Sequence, residues 1–141
     1  MTMAKMRRVE HIIIHCTDSD NPATTLADIR QWHKQRGFAD IGYHWVIWKD
    51  GRIEKGRNES LVGAHTVFHN HNSIGICLHG IKEFEEIQRN SLCRLVWEKV
   101  SFYGLYPNDI FPHNYFTKAK TCPNFDIGFV RTYVRKQGEL K

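Results

Sequence analysis

Apolar residues along this chain fall into short β-branched runs separated by longer stretches with helical spacing, a pattern that predicts alternating strands and helices. Residues 9–16 form an apolar run containing Ile12, Ile13 and Ile14, as expected of a buried strand. Asp18, Ser19, Asp20, Asn21 and Pro22 then mark a loop. A helix is predicted to start at Thr24 or Thr25, because Thr25 followed three residues later by Asp28 has capping-box spacing. Leu26, Ile29, Trp32 and His33 share one face of that helix, and Gly37 supplies a left-handed end. Residues 43–48 are aromatic and β-branched on both faces and read as an interior strand. Asp50-Gly51 predicts a two-residue hairpin turn into a partner strand over 52–55.

Residues 73–79 form another strand candidate. From 83 to 103, Phe84, Ile87, Leu92, Leu95, Val96, Val100 and Tyr103 recur at helical spacing, ended by Gly104. A short strand around Ile110 and Phe111 follows, then a final helix beginning near Asp126 that carries Phe129, Val130 and Val134 inward. The expected fold is α/β: a mixed central sheet containing a β-hairpin, flanked by about three helices. The 141 residues fit one domain, and there are no repeats or low-complexity tracts.

Composition adds limits. Aromatic residues at 12% and charged residues at 25% exclude a disordered chain. A formal net charge of +5 suits an anionic partner, or simply a soluble basic protein. The Lys and Arg residues are scattered, without the basic stripe and interleaved aromatics of a nucleic-acid module, so no nucleic-acid partner is expected. Cys16, Cys77, Cys93 and Cys122 form no C-x-x-C pair and read as thiols of a reducing compartment, one of them open as a metal ligand. After the basic start, the apolar run at Ile12–Ile14 is far shorter than the roughly 7–15 residues of a signal-peptide core. No stretch approaches the ~18 apolar residues of a membrane span. Folding in the cytoplasm, without membrane insertion, is expected.

Nine histidines focus attention on metal chemistry. His65, His69 and His71 form the densest cluster, but Gly63, Asn70 and Asn72 make the segment a loop. It reads either as a metal site or as a polar loop beside a cleft. A dispersed set is His15 at the end of the first strand, His113 just after the short strand, and Cys122 before the last helix. Strand ends on one side of a sheet are where α/β domains gather functional groups. Two imidazoles and a thiolate leave a fourth zinc position for water.

The chain resembles the N-acetylmuramoyl-L-alanine amidases, especially the small phage lysozymes of amidase type, and the related peptidoglycan recognition proteins. The matching segments include Ile14-His15-Cys16, Ile29-Arg30-Gln31-Trp32-His33, Gly42-Tyr43-His44, Lys49-Asp50-Gly51, Gly56-Arg57, Val62-Gly63-Ala64-His65, Asn70-His71-Asn72-Ser73-Ile74-Gly75-Ile76 and Lys120-Thr121-Cys122-Pro123. They keep their order over nearly the whole chain. The resemblance implies one zinc ion per chain on His15, His113 and Cys122, catalytic roles for Tyr43 and Lys120, and a substrate-binding role for His65. It further implies a single zinc amidase domain over 1–141, acting as a monomer on peptidoglycan. The implied setting is a phage or prophage endolysin made in the host cytoplasm and reaching the wall through a membrane lesion. Non-catalytic receptors of this family often lack the cysteine ligand, and Cys122 therefore favours an enzyme. Where the family usually has a charged residue after the second histidine, this chain has Asn114-Tyr115.

Overall fold

A computed structural model describes residues 7–140; residues 1–6, most of the basic start read above as no signal segment, lie outside the described residues. Five strands, β1 (His11–Cys16), β2 (Trp45–Ile47), β3 (Ile53–Lys55), β4 (Ser73–Leu78) and β5 (Ile110–Pro112), form one sheet in the order β3-β2-β4-β1-β5. β1 runs parallel to both β4 and β5, and β2 parallel to β4, while β3 is antiparallel to β2. The helices are α1 (Leu26–Gln35), α2 (Glu86–Tyr103), the four-residue α3 (His113–Phe116) and α4 (Gly128–Glu139). The mixed α/β sheet with a hairpin and three long helices is as the periodicity predicts.

Strand alternation sorts the sheet into two unlike faces. Ile12, Ile14 and Cys16 of β1 join Ile74, Ile76 and Leu78 of β4 in the main core, against Leu92, Leu95, Val96 and Val100 of α2 and Val130 and Val134 of α4. Each such side chain, fully buried, stabilises the fold by about 1.5–3 kcal/mol. The other face has a smaller apolar cluster, Ile29, Ile41, Val46, Trp48 and Cys77, covered by α1. His15, 1% exposed, is on this second face. The thin apolar layer there leaves room for polar groups.

Local chemistry sets the element ends. Thr25 and Asp28 form the expected capping box: the Thr25 side chain accepts from the Asp28 N–H at 3.3 Å, and Asp28 accepts from the Thr25 N–H at 2.9 Å. Gly37, at φ +94°, closes α1 with Phe38 N–H bonded to His33 O and Gly37 N–H to Lys34 O, each at 3.0 Å.

Four details differ from the sequence expectation. Trp32 is 39% exposed, because the buried stripe of α1 is narrow and consists of Ile29 and His33. The hairpin loop has three residues: Trp48 N–H bonds Arg52 O, and Gly51, at φ +86°, bonds back to Trp48 O. α2 starts at Glu86, since Phe84 is held in the core by Phe125 from an extended segment. Ile87 is 54% exposed, and the inward positions go instead to Gln88 and Ser91, whose side chains satisfy the carbonyls of Ile47, His79 and Gly51.

Candidate active site

The parallel register positions the site. Ile14 of β1 pairs with Pro112 of β5, so the next residues, His15 and His113, emerge side by side on one face. Their ring centroids are 4.3 Å apart. Cys122 returns to them because Asn114 clamps the intervening loop: its N–H bonds Cys122 O at 2.9 Å and its side-chain amide bonds Thr121 O at 3.1 Å. The residue that departs from the family pattern thus has a structural task in this loop. One ligand atom each from His15, His113 and Cys122 lie within 4.8 Å of one another.

Hydrogen bonds settle which His15 nitrogen is available. Ser73 Oγ donates to His69 O at 2.7 Å, so it accepts from Nε2–H of His65 at 3.3 Å. His65 Nδ1 is then an acceptor, and His15 Nε2–H donates to it at 2.9 Å. Nδ1 of His15 is left bare, with a lone pair for a cation. Thr66 Oγ1 braces the same contact, 3.0 Å from His65 Nδ1 and 3.4 Å from His15 Nε2. Residue 75 has to be glycine here, because a Cβ on β4 would come within 2.6 Å of the His65 ring.

Electrostatics keeps both imidazoles neutral, the form in which they ligate. Burial, reinforced by His65 and His113, holds His15 well below the usual imidazole range. Burial, then Lys120, lowers His113 to about 4. The Cys122 thiol is pushed up by its contact with the Cys16 side chain and by burial. The Cys16 backbone N–H nevertheless points at Cys122 Sγ from 2.8 Å, a donor suited to a thiolate whose charge a cation balances. The donor set fits zinc. Bonds of about 2.0–2.3 Å in a tetrahedral site require ligand atoms about 3.5 Å apart, so the three donors need only small side-chain adjustments.

A cleft of about 710 Å³ opens over these groups, walled by Tyr43, His65, His113, Lys120 and Cys122. The Tyr43 ring centroid is 5.3 Å from that of His15, and burial, then the thiols of Cys77 and Cys122, keep its hydroxyl protonated well beyond the usual phenol range. Lys120 is exposed on the opposite loop. All six residues singled out from the sequence therefore meet at one place. The alternative cluster does not form: His69 stacks on Phe116 at 4.2 Å and His71 is exposed, away from any three-donor group among the described residues. Sequence reasoning missed Thr66 and the backbone of Cys16, which act by position and not by residue type. It placed His33 on the buried face of α1 but not in the cleft wall, where its Nδ1 accepts Gly42 N–H at 2.7 Å and its ring meets Tyr43 edge-on at 5.1 Å.

Comparison with known proteins identifies the family. The family described as N-acetylmuramoyl-L-alanine amidase matches residues 5–125. The endolysin of Enterobacteria phage T3 is 37% identical over 128 residues, covering 84% of this chain and 82% of its own. Among solved structures, the endolysin amidase LysCS of Clostridium intestinale superposes with a TM-score of 0.84 at 30% identity, covering 92% of this chain and 85% of that one. Drosophila PGRP-LB, with a TM-score of 0.71 and 26% identity, covers 84% of this chain and 76% of its own. The chain belongs to the N-acetylmuramoyl-L-alanine amidase family.

Proposed function

We propose that this protein hydrolyses the amide between N-acetylmuramic acid and L-alanine in peptidoglycan, with one zinc ion held by His15, His113 and Cys122. The observation that carries this reading is the convergence of those three donors beneath a cleft walled by Tyr43 and Lys120, in a chain of the amidase family. Zinc bound there supplies Lewis acidity and lowers the pKa of water from 15.7 toward roughly 7. His65 holds the His15 ring in the tautomer that presents Nδ1. Tyr43, whose hydroxyl burial holds above the usual phenol range, donates from that hydroxyl to oxygen in the tetrahedral intermediate. Lys120 reaches the cleft as a cation and shares the negative charge that develops on the former carbonyl oxygen. Loss of one such donor typically lowers turnover by about 10²–10³. The +5 charge favours approach to an anionic wall, in a salt-dependent way.

The relatives' name supports an endolysin as the biological setting; we propose that it acts as a monomer, is made in the host cytoplasm and reaches the wall after a membrane lesion. Digestion of purified peptidoglycan tests the chemistry. New L-alanine amino groups should appear without new reducing sugar ends, and chelated protein should lose activity and regain it with zinc. New reducing ends without new amines would refute the amidase reading.

A further inference from the structure

Part of the cleft wall is built of rings instead of polar groups. Phe116 lines the cleft, stacks on His69 at 4.2 Å, and contacts Tyr115 at 5.1 Å and Phe111 at 5.2 Å. Phe111 in turn meets Tyr115 at 4.8 Å and His11 at 5.2 Å. Tyr115 is 64% exposed, and Phe68, which also lines the cleft, is 87% exposed. Phe68 sits at φ +71°, a left-handed conformation that is unfavourable for a bulky side chain. Neither Phe68 nor Tyr115 belongs to a core cluster. Two outward aromatic residues, one of them in a strained conformation at the rim of a cleft, call for a partner from outside.

We propose that Phe68 and Phe116, which both line the cleft, with Tyr115 packed edge-on against Phe116, form an aromatic wall that takes the N-acetylated sugar rings of the glycan strand next to the scissile amide. This rests on the amidase reading above. A pyranose ring presents one face of C–H groups, and its N-acetyl group adds a methyl; both suit an uncharged ring surface. The stem peptide carries carboxylates and amines, and matches Arg36 and Lys120 elsewhere in the cleft. The aromatic wall is continuous with the metal-ligand set: Phe116 is on the same helical turn as His113, three residues on, where side chains of a helix are neighbours. A sugar seated on the rings is thereby held at a fixed distance from the reacting amide.

The test uses the whole protein and its Phe68→Gly and Tyr115→Ser variants. Binding of the N-acetylglucosamine tetramer is titrated calorimetrically, and kcat/KM is measured on glycan strands that carry their stem peptides and on free muramoyl dipeptide. Wild type should bind the tetramer, and each variant should bind it about two- to tenfold more weakly, the scale of losing one ring contact. The preference for strands over free muramoyl dipeptide should fall by a similar factor. Phe68→Gly should keep or raise the melting temperature, since glycine adopts positive φ freely, and so separates a lost ring from a lost fold. No tetramer binding by wild type, or unchanged affinity and preference in both variants, overturns the aromatic wall. Weakened binding of free stem peptide instead of the tetramer overturns the assignment to sugar. Failure of the amidase reading is distinct: wild type would then release no L-alanine amines from any wall substrate.

Discussion

Gly75→Ala probes the site from beneath without touching a proposed ligand. A Cβ built at residue 75 lies 2.6 Å from both Cγ and Cδ2 of His65 and 2.8 Å from its Nδ1. Ordinary contacts between such atoms are about 3.5–4.0 Å, so the ring has to retreat by about 1 Å. The His15–His65 hydrogen bond, 2.9 Å long, would then approach 4 Å and cease to be one. Overpacking of this kind costs about 1–3 kcal/mol, or roughly 3–9 °C in melting temperature for a chain of this size. Loss of the group orienting a metal-ligating histidine typically lowers metal affinity or activity by about 10–100-fold. Thermal unfolding, zinc content and wall hydrolysis should be measured together, with Gly138→Ala as control. Gly138 is in α4 with nothing near its Cβ position, and alanine there should stabilise by up to about 1 kcal/mol. Adding His65→Ala to Gly75→Ala should recover part of the stability, since the Cβ then has space, but not the turnover. A Gly75→Ala protein with wild-type melting temperature and turnover would refute the account of how His15 is held.

Other substitutions separate the remaining roles. Lys120→Ala and Tyr43→Phe should each keep zinc and fold while turnover drops by about 10²-fold or more; near-wild-type rates in both would remove them from the mechanism. Cys122→Ser should leave a folded protein with well under one zinc per chain by elemental analysis and no hydrolysis, and full activity would exclude Cys122 as a ligand. Acid should destabilise the fold through His33 and His44, both lowered from 6.5 to about 4 by burial first. Their folded pKa values lie below the unfolded ones, so stability is whole above pH 6.5 and falls as pH drops from 6.5 toward 4. At pH 5 the two together should cost on the order of 4 kcal/mol relative to pH 7.5, read from urea midpoints; a flat profile would show that these rings protonate freely in the folded state.

Features that depend on near neighbours in the chain were legible from sequence. The Thr25–Asp28 capping box and the Gly37 and Gly104 helix ends are local hydrogen-bond motifs, and each is present. The Asp50-Gly51 dipeptide located the hairpin but not its length, because an Asp-Gly pair serves two-residue loops and also the last positions of a three-residue one. Phe84 and Ile87 misled the start of α2, since spacing cannot reveal that Phe125 takes up Phe84 from a distant part of the chain. α3 spans four residues, too few for any periodicity. The candidate ligands were legible as residue types at strand ends and by resemblance. Their meeting depends on the β1–β5 register and on the Asn114 clamp, which only the folded chain displays.

Hydrogen bonds made by β4 and its neighbours keep the buried imidazoles of this region neutral, the form that can ligate. Gly75 N–H donates to His44 Nδ1 at 3.0 Å, so His44 carries its proton on Nε2 and gives it to Leu61 O at 2.9 Å. Arg7 Nη2, 3.1 Å from that same Nε2, is therefore a donor facing a donor, and its own bonds go to the carbonyls of Ser73 and Glu59. Its charge makes protonation of His44 still less favourable. His65, packed edge-on against His44 at 5.7 Å, has its Nε2–H committed to Ser73 and its Nδ1 to His15. Each ring is thus fixed in one neutral tautomer by a backbone or hydroxyl group outside the ligand set. A second proton on His44 or His65 would have to displace a donor already pointing at the nitrogen. The backbone of β4, through Gly75 N–H and the missing Cβ of the same residue, sets both the protonation of His44 and the position of the His65 ring. Ligand readiness at His15 is accordingly a property of the sheet as well as of the three donors, which is why a change at a residue that touches no metal is expected to impair the site.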